Sequence, residues 1–211
     1  MRILVTGFEP FGGEQVNASG EAVTLLASHY RHPAVELCTQ ILPVSFRRGP
    51  DELRSAISRH LPDAVVAVGE AGGRAEVTPE LFAVNDQVAR IADNDGAMPI
   101  GSIDDGPGSM KSRLPVDELV EAVRRAGVPC VPSQDAGRYV CNAVFRTALT
   151  CWSGPAGFVH VPAVRRFGVA GVGGETDPDA PSVVHGLSLV DLSTALAVIV
   201  DELADFLSRT A

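Results

Sequence analysis

The sequence predicts an α/β fold, a three-layer α/β/α sandwich around a twisted, largely parallel mixed sheet, with residues 1–211 forming a single domain. Three observations lead there. Short β-branched runs bounded by turn residues recur along the chain. Segments with apolar residues at three- and four-residue spacing lie between them. These segments are about 10 to 15 residues long, the length that alternation with parallel strands requires.

The elements follow in chain order. Arg2 to Thr6 (RILVT) reads as a buried strand running into the turn GFEPFGG, and Ala18 to His29 as the first amphipathic helix. Val35 to Leu42 (VELCTQIL) is the next strand and Pro50 to Leu61 the next helix. Ala64 to Val68 (AVVAV) is a third strand, followed by the turn-rich stretch GEAGGRAEVTPE. In Leu81 to Ile91 two short apolar runs flank Asn85 and Asp86, which predicts a hairpin or a bent loop. Helices are expected over Val116 to Ala126, Tyr139 to Trp152 and Leu189 to Leu207, and strands over Val128 to Pro132 and Gly157 to Val161. Arg165 to Ser182 is rich in glycine and proline without either periodicity and reads as a long mobile loop.

Composition bounds the partners. Of 211 residues, 45% are hydrophobic and 20% charged, a globular balance, and the net charge is −9. Binding to nucleic acid needs a basic face, and the 17 Lys and Arg are outnumbered and scattered, so no nucleic-acid partner is expected. No apolar run approaches the ~20 residues that span a bilayer, and the N-terminus lacks the pattern of a signal peptide. Membrane association is therefore not expected. Cys38, Cys130, Cys141 and Cys151 show no disulfide or zinc spacing, which points to a reducing cytoplasm.

Three segments carry candidate chemistry. Phe8 and Phe11 stand in a polar, glycine-rich turn after the first strand, where they either wall an apolar ligand pocket or plug the end of the sheet. The glycines there have neither dinucleotide-loop nor P-loop spacing. Glu80, beyond the third strand, is either turn chemistry or a carboxylate that orients a histidine. Cys141 falls in the first turn of a helix, where the positive end of the dipole favours thiolate, the nucleophilic form. Cys38, Cys130 and Cys151 read as buried packing thiols.

Of the five histidines, His29, His32 and His60 fit surface roles, whereas His160 ends the strand GFVH and can face the helix start that carries Cys141. No further ligand stands near His160 at metal spacing, so neither a metal nor an organic cofactor is expected. The residues by themselves leave two readings open: a Cys-His hydrolase, or a ligand-binding domain without chemistry.

Four stretches in order, TGFEPFGGEQVNASGEAV, GEAGGRAEVTPELFAVN with ARIADNDG, SQDAGRYVCNAVF and FVHVP, together resemble pyroglutamyl peptidase I, the pyrrolidone-carboxylate peptidase family of cysteine peptidases. They are spread over about three quarters of the chain. The resemblance implies a single catalytic domain that removes N-terminal pyroglutamate from peptides, with Cys141 as nucleophile, His160 as general base and acid, and Glu80 orienting the histidine. It further implies that Phe8 and Phe11 sandwich the lactam ring, and that Asn17 and main-chain groups near Glu70 bond it. The backbone at Cys141 and Arg90 would supply the oxyanion donors, and the protein would be a homo-oligomer, a tetramer.

Glu70 stands where the family commonly has glutamine, and Ala92 to Asn94 (ADN) replaces the usual PDN. An ionised Glu70 side chain beside a neutral lactam would weaken binding, whereas contact through its backbone alone would not. A reshaped pocket would favour an amidase or acylase acting on another small cyclic amide. The glycine-rich segment looks longer than its family counterpart, and Gly168 to Ala180 is expected to form a flap near the mouth of the site.

Overall fold

The computed structural model describes residues 1–165 and 186–210. The expected flap, Gly168 to Ala180, and all but the first residue of the expected loop lie outside the described residues. In chain order the elements are β1 (Arg2–Phe8), α1 (Ala18–His29), β2 (Glu36–Leu42), α2 (Arg48–His60), β3 (Ala64–Ala71), β4 (Thr78–Pro79), β5 (Phe82–Val84), β6 (Gln87–Val88), β7 (Ile100–Gly101), β8 (Ser109–Lys111), α3 (Val116–Arg125), α4 (Val140–Cys151), β9 (Ala156–Pro162) and α5 (Leu189–Thr210).

Among the described residues five strands form one sheet in the order β2-β1-β3-β9-β4. The first four are mutually parallel, and β4 closes one edge antiparallel to β9. The fold is thus the predicted mixed, mostly parallel sheet. Strand alternation separates its two faces. Ile3, Val5, Val66, Val68, Val159 and Val161 pack with apolar residues of α1, α3 and α5. Leu4, Leu42, Val65, Ala67 and Phe158 pack with those of α2 and α4. Because both faces are covered, the strands are near-continuous apolar runs, and the sequence marked them for that reason.

Contact between α1 and the end of β1 is close. A Cβ on Gly20 would lie 2.3 Å from the Phe8 carbonyl oxygen, and one on Gly7 would lie 2.7 Å from the Ser19 carbonyl oxygen. Only glycine at both positions lets helix and strand backbones approach this far, and that approach sets the path of the 9–17 loop at the sheet's C-terminal edge.

One expectation is corrected, and one pair of alternatives is decided. Val128 to Pro132 is not a regular strand, because only Cys130 bridges, to Val77, and Ser133 bridges to Glu80. Two prolines within five residues remove the donors a ladder needs. Leu81 to Ile91 takes the second of its two expected forms, a bent segment: β5 pairs with β8, and β6 pairs with β7.

Candidate active site

The C-terminal ends of β1, β3 and β9 meet at one edge, where open parallel sheets place their sites. In the β3–β9 register Gly69 lies opposite His160. Val65 and Ala67 face α4, so Gly69 does too, and on the neighbouring strand Phe158 and His160 share that face with ring centroids 4.8 Å apart. A Cβ on Gly69 would lie 2.7 Å from Cys141 Sγ and 2.7 Å from Phe158 Cζ. The sulfur of α4 therefore occupies the space that glycine leaves, one strand away from the imidazole. Gly69→Ala should displace it: overpacking of this kind costs about 1–3 kcal/mol, and a shift of the order of 1 Å costs about 100-fold in rate. Thermal melts together with turnover kinetics check both effects.

Glu80 follows the edge strand β4 and is fully buried, with its backbone N–H donating to the Phe158 carbonyl. His160 is 3% exposed, and its Nδ1 lies 2.7 Å from Glu80 Oε1. A carboxylate acceptor there assigns the proton to Nδ1 and leaves Nε2 as the basic atom. Arg74 Nη1 donates to the same carboxylate oxygen at 2.5 Å. Burial pulls the Glu80 carboxyl upward, but the hydrogen bond and charge of His160, with Arg74 behind them, outweigh it and hold the group below its ordinary range. Burial lowers the His160 imidazole, and Glu80 restores only part of that loss. The pair at neutral pH is thus an ionised carboxylate and a neutral imidazole able to accept a proton.

Cys141 is the second residue of α4, and no acidic side chain occupies that helix's first turn to offset the dipole. Its neighbour Asn142, fully buried, accepts from the Val84 N–H at 2.9 Å and donates to the carbonyls of Val84 and Asp86 at 3.0 and 2.9 Å. That side chain ties α4 to the bent segment leading to Arg90. The other thiols differ. Burial pushes Cys130 up to about 12 and raises Cys38. Cys151 is an exposed residue, contrary to its sequence reading, because α4 ends there, and partial desolvation of its sulfur raises it as well.

The remaining sequence-nominated residues are divided. Phe8 is not on an exposed loop: it ends β1, is 2% exposed, and its ring centroid is 6.5 Å from that of Phe158. Phe11 is half-buried, 5.9 Å from the Tyr139 ring, next to the start of α4. Asn17 caps α1, accepting from the Ser19 N–H at 3.1 Å and donating to the Glu9 carbonyl at 3.0 Å. The Glu70 side chain is nearly buried and points to the α1 face, away from Cys141. It accepts from the Ala18 N–H at 2.6 Å and from Arg165 at 2.6 and 3.0 Å. Arg90 is exposed. In the ADN stretch, Asn94 donates to Glu9 Oε1 and to the Pro10 carbonyl, and the Tyr139 hydroxyl donates to the Ala92 carbonyl, so this segment braces the Phe11 loop.

A family profile described as pyroglutamyl peptidase matches residues 1–202. The chain belongs to the pyroglutamyl peptidase family. It is 37% identical over 213 residues to pyrrolidone-carboxylate peptidase 1 of Streptococcus pneumoniae, covering 98% of this chain and 94% of the relative. It is 39% identical over 170 residues to the Bacillus amyloliquefaciens pyrrolidone-carboxylate peptidase, covering 77% and 79%. Among solved structures, pyroglutamyl peptidase I of Bacillus amyloliquefaciens superposes with a TM-score of 0.83 at 33% identity over 97% of both chains. The pyrrolidone carboxyl peptidase of Thermococcus litoralis gives 0.84 at 31%, covering 100% of this chain and 96% of the other.

Sequence reasoning missed Arg74, Asn142 and Arg165 around the candidate site. Asn142 carried a signal, a polar residue on the apolar face of a helix; Arg165 carried none, because Glu70 lies 95 positions away, and Arg74 stands near Thr78 and Glu80 in sequence but in a turn without the periodicity that would aim it at them.

Proposed function

We propose that this member of the family is a cysteine exopeptidase that hydrolyses the bond after an N-terminal pyroglutamate, with Cys141, His160 and Glu80 as its catalytic residues. The observation that carries this reading is the buried Glu80–His160 pair beside a thiol at a helix N-terminus. His160 Nε2 takes the Cys141 proton, and the sulfur attacks the pyroglutamyl carbonyl. Glu80 holds the imidazole in the reactive tautomer and stabilises its cationic form. Negative charge on the carbonyl oxygen is met by backbone N–H groups at Cys141 and Arg90. His160 protonates the leaving amine, and water then cleaves the thioester.

Pyroglutamate is a flat, uncharged lactam, so its pocket needs apolar walls and amide-type partners. Phe8 and Phe11 would flank the ring, with Asn17 and the Glu70 backbone beside it. Neutralisation of the Glu70 carboxylate by Arg165 and the α1 N-terminus supports the lactam over another cyclic amide, because that charge is satisfied away from the sulfur's face. We also propose cytoplasmic action as a homotetramer, without nucleic-acid or membrane partners. Among the described residues no helix is long and apolar enough to cross a membrane.

Release of a chromogenic amine from its pyroglutamyl amide, with none from the prolyl amide, is the expected result. The reverse preference, or no turnover, would overturn the reading. Alkylation should inactivate through Cys141 first, since the other three thiols are all raised; peptide mapping that finds Cys151 labelled first, with activity lost alongside, would contradict the assignment.

A further inference from the structure

One guanidinium joins three separate parts of the site. Arg74 lies in the turn after β3, where its backbone N–H donates to the Ala71 carbonyl at 3.1 Å. Its Nη1 donates to Glu80 Oε1 at 2.5 Å and to Thr78 Oγ1, and Thr78 is the register partner of His160. Its Nη2 donates at 2.6 Å to the Asp135 carbonyl, in the turn that leads into α4 and Cys141. Gly69, under the sulfur, belongs to the strand from which Arg74 springs. The side chain is 22% exposed, while the carboxylate it holds is completely buried.

We propose that Arg74 is a positioning residue of the reaction, a bracket that holds the Glu80 carboxylate against His160 and ties the nucleophile's turn to both. The inference rests on the peptidase reading of Cys141, His160 and Glu80. A planar fork is what the geometry requires, because two nitrogens with fixed directions serve a carboxylate and a carbonyl on different segments. A lysine ammonium carries the charge without the fork.

The bracket also has an electrostatic side. The groups acting on His160 are Glu80 from the β4 edge, Arg74 from the turn after β3 and Asp135 from the turn before α4, while Cys141 Sγ of α4 lies over Gly69, the register partner of His160. Burial is the largest influence holding the imidazole low; the Arg74 charge adds to it, whereas Glu80 and Asp135 act in the opposite sense. Removing Arg74 removes a cation that opposes protonation, so the His160 titration moves to higher pH.

The experiment follows the His160 ring protons by NMR across pH in Cys141→Ser protein, with and without Arg74→Met, alongside kcat and KM on a pyroglutamyl amide for Arg74→Met and Arg74→Lys with the thiol intact. Arg74→Met is expected to shift the titration to higher pH and to lower kcat at least about tenfold through lost alignment, with KM held within about threefold. Arg74→Lys should return the titration toward the unsubstituted value without restoring kcat in full. An unmoved titration in folded Arg74→Met protein, full recovery of kcat by lysine, or a change confined to KM would each overturn the proposal. Should Arg74→Met not fold, Arg74→Gln replaces it with the same expectations. Absence of turnover in the unsubstituted protein would defeat the peptidase reading alone, since the titration still decides Arg74.

Discussion

Cys141→Ala should lower kcat on a chromogenic pyroglutamyl amide by roughly 10⁴-fold or more, the scale seen when a covalent nucleophile is deleted from a cooperating triad. Alanine leaves the backbone of α4 in place, so the helix N-terminus and the pocket walls persist. The loss should fall on kcat, with KM or the inhibition constant of an uncleaved lactam nearly unchanged. Stability should change little, because the thiol is only partly buried and its removal opens a small space over Gly69. Retained thiol-dependent turnover in this variant would show that another cysteine does the chemistry.

Glu80→Gln should cost about 10³–10⁴ in kcat. The amide can present its NH₂ to His160 Nδ1 and so favour the tautomer with the proton on Nε2, which cannot accept from the thiol. The pH profile provides a signed test. Burial keeps His160 low and Glu80 opposes that effect, so removing the carboxylate charge lowers the imidazole further. The limb of kcat/KM that reports His160 should move to lower pH in Glu80→Gln and to higher pH in Arg74→Met. Opposite shifts from the carboxylate and from the guanidinium that donates to it are not expected from general loosening of the fold.

A stability effect accompanies it. The Glu80 carboxyl is held below its ordinary value in the folded protein. Its contribution is therefore present above the ordinary carboxylate range and is lost as pH falls through the folded value. Glu80→Gln should reduce the acid sensitivity of the melting temperature over that range, and an unchanged slope would show the carboxylate to be unperturbed.

Much of this was legible from the chain. Helix α1 begins and ends where its periodicity places it, and β1, β2, β3 and β9 were marked by apolar runs because a sheet covered on both faces demands them. Cys141 was legible as a helix-start thiol and His160 as a strand-end imidazole. Phe8 was misplaced because a glycine-rich turn signal overlapped the last residues of β1. Cys130 was misassigned to a strand because composition resembles one where prolines forbid a ladder.

The sequence by itself determined the layer order, the elements that carry each reactive group, and the chemical types available to them, because these depend on local period, turn chemistry and residue identity. The tertiary structure decided the rest. Glu80 and His160 are 80 residues apart yet share a hydrogen bond. Arg74 reaches Asp135 across 61 positions, and Arg165 neutralises Glu70 across 95. Such pairings depend on strand register and on which face of the sheet a side chain leaves, and a shift of one residue would reverse that face. Neither a carboxylate's partner nor its charge balance is written in its neighbours along the chain.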